Sequence, residues 1–259
     1  PARSFFQFFE NHRLMHKERP KWRTVTGGSR NYVDTVSRLL GDRLKLNTAV
    51  HSISPFGDKV RIDVKGGPTS VYDEVILATH SDTALDLLDP GFESKNFLLR
   101  SVRYRPNTIY LHRDESLMPK KKAAWASWNV IKQSTPEICL TYWMNRLPNL
   151  PDETPLFVTL NPETPPAAEL TFATMEKAHP QFDGPAEAAV RALKREQGQD
   201  KIWLAGAWMG SGFHEDGLKS GLSCALSLGG QVPWTPEGVE IASAVTNAPK
   251  TDKIALGAL

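Results

Sequence analysis

Apolar and polar positions along the chain follow two rhythms, and the changes between them mark the elements. Val60, Ile62 and Val64 alternate with Arg61, Asp63 and Lys65, which predicts a half-buried strand that Gly66-Gly67 turns back toward Val71. Leu44, Leu46, Val50 and Ile53 mark short strands ahead of it. Ser29 stands where it can cap a helix from Arg30 to Leu40, with Val33, Val36 and Leu40 on its buried face and Gly41 beyond its end. Val75 to Ala78 is a continuous apolar run, fit for a strand covered on both faces, and Thr79 to Ser81 turns it into a helix over Thr83 to Leu88. Between Asn96 and Leu160 the segments IYLH, WASW, CLTYW and LFVTL predict a mostly antiparallel, aromatic-rich sheet. Loops over Pro162 to Pro166 and His179 to Pro185 lead to a helix over Ala186 to Gln197, with Ala189, Val190 and Leu193 facing inward. At the start of the chain Phe5, Phe6, Phe8, Phe9, Leu14 and Met15 read as an amphipathic helix broken at Pro20. The tail after Trp234 is weakly patterned and is expected to be partly disordered.

Composition bounds the class. The 259 residues, 40% hydrophobic and 23% charged, suffice for a real core in an α/β protein. The formal charge of +2 implies neither nucleic acid nor an acidic surface as a partner. One basic run, Lys120, Lys121 and Lys122, suits a solvated loop or a contact for an anionic lipid or substrate. Cys139 and Cys224, the only cysteines, fall inside predicted elements, which points to buried thiols in a reducing, cytoplasmic compartment. No run reaches the roughly 18 apolar residues of a membrane span.

The richest stretch is Ile202 to Ala225, where a short apolar strand passes through a glycine turn into a helix. Gly206, Gly210, Ser211 and Gly212 permit close backbone approach to a ligand. Gly217, Ser220, Gly221 and Cys224 give one helix face almost no bulk, and the helix start directs about half a positive charge forward. The same pattern also suits tight packing of strand, turn and helix in any α/β protein.

Taken together, WRTVTGGSRNYV (Trp22 to Val33), VILATHSDTALDLLDP (Val75 to Pro90), LHRDESLMP (Leu111 to Pro119), AWASWN (Ala124 to Asn129), CLTYWMNRLPNL (Cys139 to Leu150) and the Ile202 to Ala225 stretch resemble the flavin-containing amine oxidase superfamily. The resemblance runs from about Phe5 to Trp234. It implies part of an α/β two-dinucleotide-binding-domain FAD fold with a mixed or antiparallel substrate-binding sheet. The implied layout is a substrate-domain helical segment over 1–23, a partial FAD-binding domain over 24–95 and a substrate-binding domain over 96–200. A C-terminal FAD-binding segment over 201–234 and a tail over 235–259 complete it. The superfamily's opening G-x-G-x-x-G unit, which holds the FAD pyrophosphate, is absent, and the chain begins with Pro1. The expectation is therefore the C-terminal part of a longer FAD-dependent oxidoreductase that moves hydride from a hydrophobic, lipid-like substrate to flavin. The alternative is a catalytically silent remnant that binds an apolar ligand or a partner chain.

By the same resemblance, FAD contacts fall to Val50, Ala78, Thr79, Gly206, Gly212, Glu215, Asp216 and Gly217, with plain strand packing equally suited to Val50. Phe213 occupies one wall of an aromatic cage but lacks the usual tyrosine hydroxyl, and Trp208 replaces a common acidic residue. No lysine lies between Lys95 and Lys120, where many relatives carry one beside flavin N5. His112 is the nearest titratable substitute and His214 borders the flavin-facing loop, although a lone histidine is also an ordinary structural residue. Trp125, Trp128, Tyr142 and Trp143 are the candidate cavity walls, and no metal site is indicated. With its implied neighbouring strand absent, the core is expected to expose apolar surface that favours association. Since the pyrophosphate amides are missing, the purified chain should be colourless. A stoichiometric flavin spectrum that survives gel filtration would show a phosphate site of another kind.

Overall fold

The computed structural model describes residues 23–232 apart from 136, 148, 149 and 152, together with residues 2, 6, 9, 10, 13, 15–18 and 234. Most of the N-terminal amphipathic segment and nearly all of the tail lie outside the described residues. The chain forms two compact units, one from Pro1–Arg19, Lys45–Tyr104 and Pro180–Leu259, the other from Pro20–Leu44 and Arg105–His179.

In the first unit, β1 (Val50–Phe56), β2 (Lys59–Val64) and β3 (Ser70–Tyr72) form an antiparallel meander. Gly57 and Gly66 turn it with φ of +61° and +70°, a region that costs glycine little. The predicted alternation places Val60 fully inside and Arg61 outside. β4 (Val75–Leu77) pairs in parallel with β10 (Ile202–Leu204), Val75 opposite Ile202 and Leu77 opposite Leu204. Around this pair stand α2 (Ser81–Leu87), α3 (Glu93–Leu99), α4 (Gly184–Arg195) and α5 (His214–Ser227).

Side chains of β10 divide between two cores because successive residues point to opposite faces. Ile202 and Leu204 join Val75, Leu77, Phe92, Leu99 and Leu193 in the larger core. Trp203 and Ala205 join Cys224 of α5 in a smaller one. Its indole is held by Glu74 Oε2, 2.8 Å from Trp203 Nε1, and lies where any side chain on Gly198 would begin. α4 is positioned by Asp183, whose carboxylate accepts the Ala186 N–H at 3.0 Å, with Pro185 in its first turn. Burial of both faces, expected for Val75 to Ala78, is found at β10 instead, since Ile76 of β4 remains 42% exposed. The helix expected over Thr83 to Leu88 begins two residues earlier, at Ser81.

The second unit is built on a five-stranded sheet in the order β6-β7-β8-β5-β9. Its strands are β5 (Tyr104–His112), β6 (Trp128–Ile131), β7 (Cys139–Trp143), β8 (Phe157–Leu160) and β9 (Thr171–Pro180). β6, β7, β8 and β5 pair antiparallel, as the aromatic-rich segments predict. β9 escaped the sequence reading because it stands at the sheet's margin and is mostly exposed, so its apolar alternation is faint.

The helix predicted over Arg30 to Leu40 is present as α1 (Arg30–Leu40) and ends at Gly41 with φ +52°. Two expectations for it are corrected. Ser29 has helical backbone angles and makes no side-chain cap, and the predicted buried face buries no residue. Val33, Val36 and Leu40 are 49%, 51% and 38% exposed. The stripe exists, but no described element covers it. Val33→Ser with Val36→Ser should therefore change unfolding free energy by less than about 0.5 kcal/mol, whereas Leu193→Ala should cost about 2–5 kcal/mol. Denaturant melts check both, and binding of a hydrophobic dye should fall only in the α1 variant.

Candidate functional site

At the carboxyl ends of β4 and β10, several of the residues singled out in the sequence come together. The strand pairing continues past β10 through the Ala205 N–H, which donates to Leu77 O at 2.9 Å. Ala78 and Thr79 therefore emerge beside Gly206. Trp208 spans the two, its Nε1–H donating to Thr79 O at 3.0 Å. α5 then returns beneath the turn. Ser220 Oγ accepts the Gly206 N–H at 2.9 Å, and a methyl on Gly217 would lie 3.6 Å from Ala207 N, an ordinary contact.

The glycines of this loop are required, but by the chain's own side chains. A side chain on Gly206, where φ is +153°, would meet the Trp208 indole at 2.7 Å. One on Gly210 would collide with Asp216, and one on Gly212, with φ +93°, would press on Phe182 at 3.0 Å. Asp216 draws the loop onto the helix start, since its Oδ2 accepts the amides of Ser211 at 3.1 Å and Phe213 at 3.0 Å. Glu215 is exposed and pairs with Lys219 at 3.6 Å, one helical turn on. His214 is exposed and Phe213 half-buried. Val50 opens β1 and packs against the larger core. Gly221 is the exception, with nothing within 4 Å of where its side chain would start, so this part of α5 presents an open face. Cys224, at the far end of that helix, is buried, which pushes its thiol up to about 11.

In the second unit, His112 is fully buried at the end of β5. Its Nδ1 accepts the Asp114 N–H at 3.1 Å, which leaves the proton of the neutral ring on Nε2, 2.7 Å from Thr159 Oγ1. Thr159 Oγ1 lies 2.8 Å from Thr141 Oγ1, which donates to Leu117 O at 3.0 Å. The chain of donors runs from ring to carbonyl across β5, β8 and β7, and both ring nitrogens are satisfied. Burial lowers the His112 pKa against an opposing pull from Asp114. Burial pushes Asp114 the other way, but the amides of Ala167 and Ser116 outweigh it and hold that carboxyl below its ordinary range.

The same sheet carries an aromatic cluster. Trp125 packs edge-on against Trp143, with ring centroids 5.1 Å apart at 89°, and against Phe157 at 5.6 Å. Trp128 and Tyr142 form a separate pair at 5.7 Å, with Trp128 48% exposed. Trp125 and Trp143 line a cavity of about 430 Å³ with Lys122, Ala123, Arg146 and Pro155. Of the four predicted walls, Trp125 and Trp143 line this cavity and Trp128 and Tyr142 do not. Sequence reasoning missed Arg146, Phe182 and the threonine pair, and read Trp208 only as the replacement of an acidic residue. Arg146, three residues after Trp143, carried a usable signal, whereas the other partners meet only through tertiary pairing.

Residues 2–151, more than half of the chain, match the family described as flavin containing amine oxidoreductase, and the chain belongs to that family. Among solved structures it is similar to cyclohexylamine oxidase from Brevibacterium oxydans, at 13% identity and a TM-score of 0.56, covering 78% of this chain and 52% of that one. A reduced UDP-galactopyranose mutase matches at 12% identity and a TM-score of 0.52, covering 74% and 49%. A fatty acid isomerase from P. acnes matches at 13% identity and a TM-score of 0.50, covering 78% and 51%. The likeness is one of fold, the two-domain fold of FAD-dependent flavoproteins, as expected from the sequence motifs. The chain spans about half the length of these structures. No curated protein matches it. Among the described residues no helix is long and apolar enough to cross a membrane, and no cluster of histidine, cysteine or carboxylates is placed to hold a metal.

The buried histidine generates a pH prediction. A neutral ring with a lowered pKa contributes stability that is complete above the unfolded value of about 6.5 and is lost as pH falls below it toward the folded value. His112→Gln keeps a donor for Thr159 but does not titrate. Its unfolding free energy should therefore fall less than the wild type's between about pH 6.5 and 5. Parallel pH profiles for the two proteins would remove His112 as the source.

Proposed function

We propose that this chain carries the flavin-side portion of a FAD-dependent oxidoreductase that takes hydride from an apolar substrate. The observation that supports this most is the meeting of Thr79 and Gly206 at the carboxyl ends of two parallel strands, with a helix start following. Open α/β sheets bind cofactors at that position. The residues fit such a group. Ala78 and Thr79 lie at one strand end and Gly206 at the other, and the start of α5 contributes about half a positive charge. Gly221 supplies a space that any side chain would fill. Flavin, when bound, supplies the two-electron chemistry, and the protein's part is orientation, dry walls and proton handling.

Several residues divide that part. Trp208 covers the Thr79 carbonyl and keeps the strand ends in register. Asp216 holds the loop closed over the helix start. His112 is read as ordering the sheet, because both of its nitrogens are already committed. His214, exposed at the start of α5, is the residue to which this reading assigns the proton released as hydride leaves. Within the second unit, Trp125 and Trp143 provide apolar walls at right angles to one another for an apolar ligand. The compartment is taken as reducing and cytoplasmic, from the two buried thiols. A silent remnant is the second reading, favoured by the occupation of the glycine approaches by Trp208, Asp216 and Phe182.

Flavin content in the longer protein separates the two. Gly221→Val should lower it at least tenfold, while Gly217→Ala, whose methyl has room, should retain it. Anaerobic bleaching should be fast with apolar acyl compounds and slow with simple primary amines. Equal flavin content in wild type and Gly221→Val would detach α5 from the cofactor, and rapid bleaching by a primary amine would overturn the substrate class.

A further inference from the structure

We propose that Lys122 is the specificity-determining residue of the second unit's cavity: it fills the seat that an ammonium group would take, so that the cavity prefers uncharged apolar ligands to amines. This rests on the apolar-substrate reading above and names the residue that enforces it. Lys122 reaches its ring by a local device. It opens a 3-10 turn, Lys122–Ala124, that Trp125 follows, and a second turn, Met144–Arg146, begins after Trp143 and ends on a cation in the same way. In a 3-10 turn, side chains three residues apart eclipse one another. The sequences K-A-A-W and W-M-N-R therefore each set a cation over an indole. Lys122 Nζ stands 5.0 Å from the Trp125 ring centroid, and Arg146 Cζ stands 4.7 Å from that of Trp143.

At about 430 Å³ the cavity lies in the range that takes a whole small ligand. Two indoles at right angles are also the kind of wall that attracts a substituted ammonium, because ring faces carry the negative end of the quadrupole. Here both rings are already engaged by cations of the protein's own. Lys122 is engaged twice, since its Nζ also lies 3.6 Å from the Glu115 carboxylate. It thus holds at once the ring and the carboxylate that an amine would seek. A ligand amine has to displace Lys122 from both and gains only what the lysine loses, which is selection by an occupied seat. A neutral apolar ligand makes no such demand, and the other lining residues, Ala123 and Pro155, carry no charge. Because the Lys122 side chain is 70% exposed, the preference is set at roughly tenfold, the sum of one exposed cation–ring contact and one surface ion pair.

The test uses the full chain and reads heat of binding and tryptophan fluorescence, with decanol, decylammonium and tetramethylammonium as probes. Wild type should bind decanol saturably and decylammonium at least fivefold more weakly. Lys122→Ala should tighten decylammonium at least fivefold relative to decanol, make binding of tetramethylammonium measurable and leave the thermal melt in place. Lys122→Arg should keep the wild-type order, and Glu115→Gln added to Lys122→Ala should reverse most of the gain. Equal binding of decanol and decylammonium by wild type, or no ammonium gain in Lys122→Ala, would overturn the proposal. So would a gain that survives Glu115→Gln, which would report lost repulsion rather than a vacated seat. Absence of saturable decanol binding would remove the apolar reading of the cavity and the proposal with it, whereas decanol binding without an ammonium gain removes the role of Lys122 alone. No flavin enters these measurements, so a failure of the oxidoreductase reading leaves their outcome intact.

Discussion

The parallel pairing of β4 with β10 is the constraint on which the first unit depends. It joins Val75–Leu77 to Ile202–Leu204 across more than a hundred residues of chain, a closure that local propensity cannot drive. Burial drives it instead. Ile202, Trp203 and Leu204 are each within 1% of complete burial, and they divide their side chains between two cores. At roughly 25 cal/mol per Å² of apolar surface, such residues are worth about 1.5–3 kcal/mol each. Because the register is set, Thr79 and Gly206 must emerge together, and everything that follows Gly206 is delivered to the end of β4.

Around that junction the protein uses its own aromatic and acidic side chains to hold the glycine loop. Trp208, Phe182 and Asp216 fill the spaces that Gly206, Gly212 and Gly210 leave open, so those glycines serve the shape of the loop itself. The open part of α5 begins one turn later, at Gly221. Small residues at three and four residue spacing thus perform two tasks on one helix. Gly217 and Ser220 seat it against the turn, and Gly221 leaves a surface.

The second unit shows the same economy in polar groups. His112, Thr159 and Thr141 lie on three strands and would each be costly to bury alone. Linked from ring to hydroxyl to carbonyl, they are satisfied with one direction of donation. Beside them, Trp125 and Trp143 each hold a cation that comes from three residues away.

Much of this was legible in the sequence, for stated reasons. Alternation in Lys59–Val64 and the apolar run at Ile202 each report burial directly, and Gly41 and Gly66 report backbone angles that other residues resist. Motifs spread over the chain placed it in its family, and K-A-A-W and W-M-N-R contained two cation–indole pairs at local spacing. Other features have no local signature. The stripe on α1 has a helical period whether or not anything covers it, so periodicity could not report that Val33 and Val36 stay exposed. β9 has an edge strand's weak pattern, and the same glycines suit a ligand or a neighbouring tryptophan. The residues by themselves determined most of the helices and the strongly patterned strands, and which face of each is apolar, but not β9 or the absence of a strand at Leu44 and Leu46. Only the tertiary structure decided which of those faces find partners, because burial and hydrogen bonding at Thr79, Gly206, His112 and Trp208 depend on groups that lie tens of residues away.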